Sequence, residues 1–270
     1  MAIGKSVFMS YVTCVVLVAQ LQVSWGQNRI NIVSPSELAE VEGNNVQDAG
    51  HAGRAQFLYP ASDFMSVPES HRIITGLAWR PDQSNTFTSP VSGPARILLS
   101  TTAVDDLSTT FANNIGDDET LVFEGTLTWQ TDASGPGPRA FDYSVQFDKP
   151  FRYDPRQGQN LLLEFVPTAD WDNVGNWQID AEINTAGNIT LVGTGNPSAS
   201  TATGASRDSH WPTQFTFVPE PSTTVLSARS CWRPTRRWLC CWSIRKRTCR
   251  RARPFGWVSS NKGQMWLCRP

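Results

Sequence analysis

From Ala55 onward, short apolar runs recur between clusters of Gly, Pro, Asn and Asp: Ala55 to Tyr59, Arg72 to Trp79, Ala95 to Ser100, Leu121 to Trp129, Ala140 to Phe147, Asn160 to Val166, Trp177 to Ile183, Asn188 to Val192 and Thr213 to Val218. Several alternate strictly. Leu121, Phe123, Leu127 and Trp129 oppose Glu124, Thr126 and Thr128; Phe141, Tyr143, Val145 and Phe147 oppose Asp142, Ser144, Gln146 and Asp148; Trp177, Ile179, Ala181 and Ile183 oppose Gln178, Asp180 and Glu182. A period of two gives a strand one buried and one wet face. After residue 26 no segment longer than about ten residues carries the 3.6-residue period that a crossover helix needs. The pattern therefore predicts an all-β fold of antiparallel strands, a jelly-roll-like β-sandwich over residues 55–218. One short helix is expected at Val104 to Asn113, covering an open end. Residues 27–54 read as a flexible lead or a poorly formed edge strand, and Thr194 to Asp208, almost wholly small and polar, as a mobile loop before the last strand.

The first 26 residues have a different pattern. Lys5 precedes an apolar run from Val7 to Val23, followed by Ser24-Trp25-Gly26, with small residues at the two positions a signal peptidase inspects. This layout predicts a secretory signal handled by the Sec machinery, cleaved between Gly26 and Gln27. Tyr11-Val12-Thr13 precedes Cys14 where a lipoprotein signal would carry small residues after a Leu, so a lipid anchor is not expected.

Charge divides the chain again. Residues 27–222 hold 10 Lys+Arg against 24 Asp+Glu, a formal charge of −14, whereas the last 48 residues hold 12 basic residues and no acid. An acidic body of this kind repels nucleic acid. Cysteine divides in the same way: Cys14 lies in the signal, Cys231, Cys240, Cys241, Cys249 and Cys268 lie in the tail, and the body has none. The body therefore needs no disulfide and offers no thiol nucleophile.

Candidate chemistry is sparse. His51, His71 and His210 are far apart in sequence, and no Gly-x-Ser-x-Gly, His-Glu-x-x-His or phosphate-loop pattern stands between a strand and a helix. No catalytic residue is assigned and an enzyme is not expected. A glycosidase pair would require Glu124 and Glu164 to meet on facing strands. Calcium is the stronger minority candidate, because Asp117, Asp118 and Glu119 crowd one loop and Asp170 and Asp172 flank Trp171 in another, where the indole would be placed to stack on a sugar ring. Carboxylate oxygens on loops at a sandwich end are the ligands Ca²⁺ takes. Asn188-Ile189-Thr190 fits the N-glycosylation acceptor pattern.

The last strand runs into Val218-Pro219-Glu220-Pro221-Ser222. At the end of an exported domain this motif resembles the sorting signal of bacterial PEP-CTERM proteins. Ile73-Ile74-Thr75-Gly76-Leu77-Ala78-Trp79, Leu107-Ser108-Thr109-Thr110-Phe111 and Phe151-Arg152-Tyr153-Asp154-Pro155 are similar to segments of bodies that carry it, so the resemblance spans roughly residues 55–222. It implies an exosortase-type sorting transpeptidase as partner, a location on the cell surface or in an exopolysaccharide or biofilm matrix, and no assigned catalytic residues.

In that family an apolar membrane helix and an Arg-rich stop follow the motif. Here residues 219–226 keep only its beginning, and 227–270 form a basic, Cys- and Trp-rich tail in which no window reaches the roughly 18 apolar residues of a membrane span. The abrupt change predicts a shifted reading frame near Leu226. A disordered basic tail is the alternative, with Arg245-Lys246-Arg247 among Trp238, Trp242 and Trp257 as a nucleic-acid or membrane-binding variant, and Cys240, Cys241 and Cys249 as a poorly spaced zinc set. Two functional classes follow for the whole chain: a structural surface or matrix protein, or a calcium-dependent carbohydrate-binding module or glycan-active enzyme.

Overall fold

The computed structural model describes residues 28–48, 50–172, 178–183, 191–206 and 209–221. The chain clusters into two units, 1–220 and 221–270, and of the second only Pro221 is described. The expected secretory signal with its cleavage at Gly26 and Gln27, the acceptor pattern at Asn188, Ser222 and the tail lie outside the described residues.

Thirteen strands are described: β1 (Ile30–Ser34), β2 (Asn45–Asp48), β3 (Arg54–Tyr59), β4 (Ile73–Trp79), β5 (Val91–Thr102), β6 (Thr120–Trp129), β7 (Tyr143–Arg152), β8 (Asn160–Pro167), β9 (Gln178–Ile183), β10 (Leu191–Thr194), β11 (Gly204–Ser206), β12 (Ser209–His210) and β13 (Thr213–Val218). Every strand pairing is antiparallel. One sheet runs β1-β13-β4-β7, a second β11-β10-β3-β8-β5-β6, and a small third β12-β9-β2. Counting β1, β3, β4, β5, β6, β7, β8 and β13 as first to eighth, the two main sheets read 1-8-3-6 and 2-7-4-5. That is the strand order of a jelly roll, with β9 to β12 inserted before its last strand.

Of the alternating sets, Leu127, Trp129, Tyr143, Val145 and Phe147 do face inward. Leu77, Trp79, Val145, Phe215 and Phe217 of one sheet meet Phe57, Ile97, Trp129, Leu163 and Phe165 of the other in one apolar cluster. Trp79 lies edge-on to Trp129, with ring centroids 5.3 Å apart, and 5.4 Å from Phe165. The Thr213 hydroxyl joins the sheets, receiving Trp79 Nε1–H at 2.9 Å and lying 2.8 Å from the Tyr59 hydroxyl. The outer face of the larger sheet is covered as well: Leu58 and Leu162 pack under Leu107 and Phe111, with Ala199 and Ala202 beside them.

Five expectations change. The segment 27–54 is not a flexible lead: it supplies β1, zipped to β13 from Ile30↔Phe217 to Ser34↔Thr213, and β2, both at sheet edges as the edge-strand alternative had it; the sandwich therefore begins at Ile30, because these short strands are completed by distant partners. Val104 to Asn113 is an irregular cover with one 3₁₀ turn at Phe111–Asn113, since Leu107 and Phe111 both anchor on the outer sheet face. A β-bulge opposite Ile97 and Leu98 turns Val122 inward and leaves Leu121 exposed. β7 starts at Tyr143, later than Ala140, and runs to Arg152. The Thr194 to Asp208 segment carries β11 and is tied to the cover by Ala202 N–H donating to Thr109 O at 2.7 Å.

Candidate functional site

β13 ends at buried Val218, and Pro219 and exposed Glu220 follow at once. Glu220 N–H donates to Ser70 O at 2.7 Å, and Arg152 Nε–H to Glu220 Oε1 at 3.0 Å. Both side chains of that ion pair are largely exposed. The chain's other end is held at the same turn, for His71 Nε2–H donates to Asn28 O at 2.8 Å. The first and last described residues of the sandwich thus leave together, beside Ser70 and His71.

The acidic loops are held by the fold itself. Asp118 accepts the Thr101 N–H at 2.7 Å and the Thr101 hydroxyl at 2.9 Å. Asp170 accepts the Ala52 N–H at 2.8 Å, and Asp172 N–H donates to Ser92 O at 2.9 Å. Thr101 and Ser92 are nine residues apart on β5, about 30 Å of extended chain. The Asp117 and Asp170 loops therefore stand at opposite ends of that strand, and the fold does not bring them together. Burial pushes the Glu119 carboxyl above its ordinary value, with Glu164 adding to the effect and Arg54 opposing it.

Trp171 is not a sugar platform. It is buried, 5.2 Å from Trp129 and 6.2 Å from Phe165, and it lies flat on Gly93, where any Cβ would enter its ring at 2.2 Å. Gly50, at φ +99°, shapes the turn on its other side. Glu124 and Glu164 share one sheet on either side of β5, opposite Arg96 and Leu98 respectively. Glu124 is exposed, while Glu164 is buried and accepts from Arg54 and Gln56, each at 2.8 Å. The histidines occupy three separate places: exposed His51 lies 4.0 Å from Asp170, His71 holds the turn at Asn28, and buried His210 lies on β12.

The densest group of charges was not among the expected sites. Arg80, directly after β4, is fully buried and donates to Asp180 of β9 through Nε at 2.6 Å and through Nη2. It also donates to Leu38 O at 2.9 Å, Ala39 O at 3.4 Å and Val41 O. Asp180 accepts the Gly43 N–H at 2.9 Å, Glu42 the Gln83 N–H at 2.7 Å, and Asp82 the Ser84 N–H at 2.7 Å. Carboxylate oxygens of Glu42, Asp82 and Asp180 lie within 4.8 Å of one another. Burial pushes the Asp180 carboxyl up to about 6; the Arg80 charge and hydrogen bond oppose this, and Glu42 reinforces it.

Comparison with protein-family models, curated proteins and solved structures gave no match.

The geometry must therefore speak for itself. A cavity of about 10 Å³ lined by Asn85, Phe87, Trp129 and Tyr143 has room for roughly one water and no organic substrate. Around Arg80 a cation already sits among the carboxylates, and most of the acids placed above accept from neighbouring strands and loops. Among the described residues no helix is long and apolar enough to cross a membrane. The signal that pointed to Arg80 and Asp180 was present but weak: an arginine directly after an apolar strand, and an aspartate in the middle of another.

Proposed function

We propose that this chain is an exported structural module of a bacterial surface or exopolysaccharide matrix, delivered through the Sec machinery and a PEP-type sorting signal read by an exosortase-type transpeptidase. The observation that carries this reading is the place of Pro219-Glu220: it follows the last core residue, Val218, without a spacer and stands exposed where the chain leaves the sheet. A protease-like partner needs an accessible extended segment, and an X-Pro dipeptide beyond a strand end supplies one. The body suits passive display. It closes without cysteine, its interior is one apolar cluster rich in aromatic rings, and the buried Glu164 and Asp180 carboxylates are each paired with an arginine.

The test is the intact mass of the mature protein from an exosortase-bearing bacterial host, fractionated into membrane, outer surface and medium. A species running from Gln27 to near Ser222 on the surface is expected. A species extending to Pro270 and found only in the medium overturns the sorting reading.

A further inference from the structure

The segment between β1 and β3 is held to the sandwich in an unusual way. Over residues 36–48 the only buried apolar side chain is Leu38. The rest of its attachment is polar: the β2–β9 ladder, Arg80 donating to the carbonyls of Leu38, Ala39 and Val41, Gly43 N–H on Asp180, and Asn44 bonded to Glu182 at 2.7 and 2.8 Å. A segment with so little apolar burial closes by electrostatics and belongs to the low-stability end of a fold.

The charges at its foot do not balance. Three carboxylates, of which Asp82 and Asp180 are buried and Glu42 half-buried, face one guanidinium, an excess of two negative charges. Glu42 Oε2 is shielded from solvent and has no hydrogen-bond donor. The charged groups facing Asp180 are Arg80 and Asp82 after β4 and Glu42 before β2. Nearby Arg139 uses its Nη donors on Gln83 O and Asn85 O, each at 2.7 Å, and Glu182 is turned to Asn44. Burial and the neighbouring Glu42 charge both favour the protonated form of Asp180.

We propose that the Glu42, Asp82 and Asp180 cluster around Arg80 is a proton-operated latch: a proton on Asp180 holds residues 38–48 closed against the end of the sandwich, and its loss with rising pH loosens them. The direction follows from linkage. The Asp180 carboxyl is raised to about 6 in the fold, against roughly 3.9 in an open chain. The closed state therefore binds more protons than the open one between these values. Closure from this source is complete below about pH 4 and is lost as pH rises through 6. A jelly roll displayed outside the cell would then present a tight flank in acid and a mobile one at neutral pH, while its core stays unchanged.

The test uses hydrogen exchange of the full chain, corrected for intrinsic rates and run in EDTA so that no divalent ion substitutes for the proton. Protection of the amides from Gly43 to Asp48 should fall roughly tenfold or more between pH 5 and pH 7.5, while the amides of β8 keep theirs. Glu42→Gln keeps the acceptor for Gln83 N–H and removes one charge, and it should flatten the pH dependence. Constant protection in the wild type overturns the proposal, as does a wild-type slope that persists in Glu42→Gln. If that variant loses protection in β8 and so fails to fold, a carboxylate ¹³C titration of the wild type decides: an Asp180 carboxyl that titrates below pH 5 overturns the latch.

Discussion

Trp79 and Arg80 are consecutive and both are fully buried, yet they are held by opposite means. Trp79 faces the space between the sheets, among Trp129, Phe165 and Trp211, with its single N–H on Thr213. Arg80 faces the other way, into the flank built from residues 38–44 and β9, and satisfies carbonyls and a carboxylate. The first environment depends on apolar area and ring packing, which do not change with pH. The second depends on a guanidinium whose desolvation is offset only while its partners remain in place. One turn of extended chain thus separates a pH-indifferent core from a pH-sensitive edge.

The sharpest way to break that contrast is to remove each residue in turn. Trp79→Ala opens a cavity at the centre of the aromatic cluster and should destabilise the sandwich by about 3–5 kcal/mol, equally at pH 5 and pH 7.5. Arg80→Met leaves the Asp180 carboxylate without its guanidinium and the Leu38, Ala39 and Val41 carbonyls without their donor, and should cost about 3–5 kcal/mol at pH 7.5. It should cost clearly less at pH 5, where protonation relieves the carboxylates. Urea titrations of both variants at the two pH values check this; equal pH dependence for the pair would erase the distinction.

A smaller effect sharpens the boundary of the core itself. At the bulge in β6, Val122 is buried and its neighbour Leu121 is exposed. Val122→Ala should therefore cost about 1.5–3 kcal/mol, and Leu121→Ser no more than about 0.5 kcal/mol. The reverse order in thermal melts would restore the uninterrupted alternation. This pair also marks what was legible in the sequence. Apolar runs between turn residues located β3, β4, β5, β8 and β13, and strict alternation marked β6 and β7, because a half-wet strand writes its own period. It could not show the bulge, which depends on the register against β5. It could not show β1 and β2, whose few residues become strands only beside β13 and β9. Asp180 was read as the wet face of β9, and that face is indeed polar, but residues 36–44, more than 130 positions earlier, cover it. The acidic loops were legible as loops, whereas the partners of their oxygens, Thr101 and Ala52, lie elsewhere in the chain. Pro219-Glu220-Pro221 is contiguous and could be read from the sequence as a motif, whereas the Ser70 and Arg152 partners of Glu220 could not.

The smallest expected effect on stability falls on that motif, and there the comparison separates folding from sorting. The Arg152 to Glu220 pair is solvent-exposed, and exposed ion pairs contribute between nothing and about 1 kcal/mol. Glu220→Ala should shift the melting temperature hardly at all, and Arg152→Ala should match it. If the motif is read by a sorting enzyme, the two variants part company in the cell: Glu220→Ala should abolish surface processing, while Arg152→Ala, which leaves the motif intact and only frees its side chain, should be processed at least as well as the wild type. Loss of processing in both variants would mean that the docked position of Glu220 on the folded sandwich, rather than its chemical identity, is what the partner recognises. Processing unaffected in both would remove the motif from the account altogether and leave the jelly roll as a module whose destination is set by some other part of the chain.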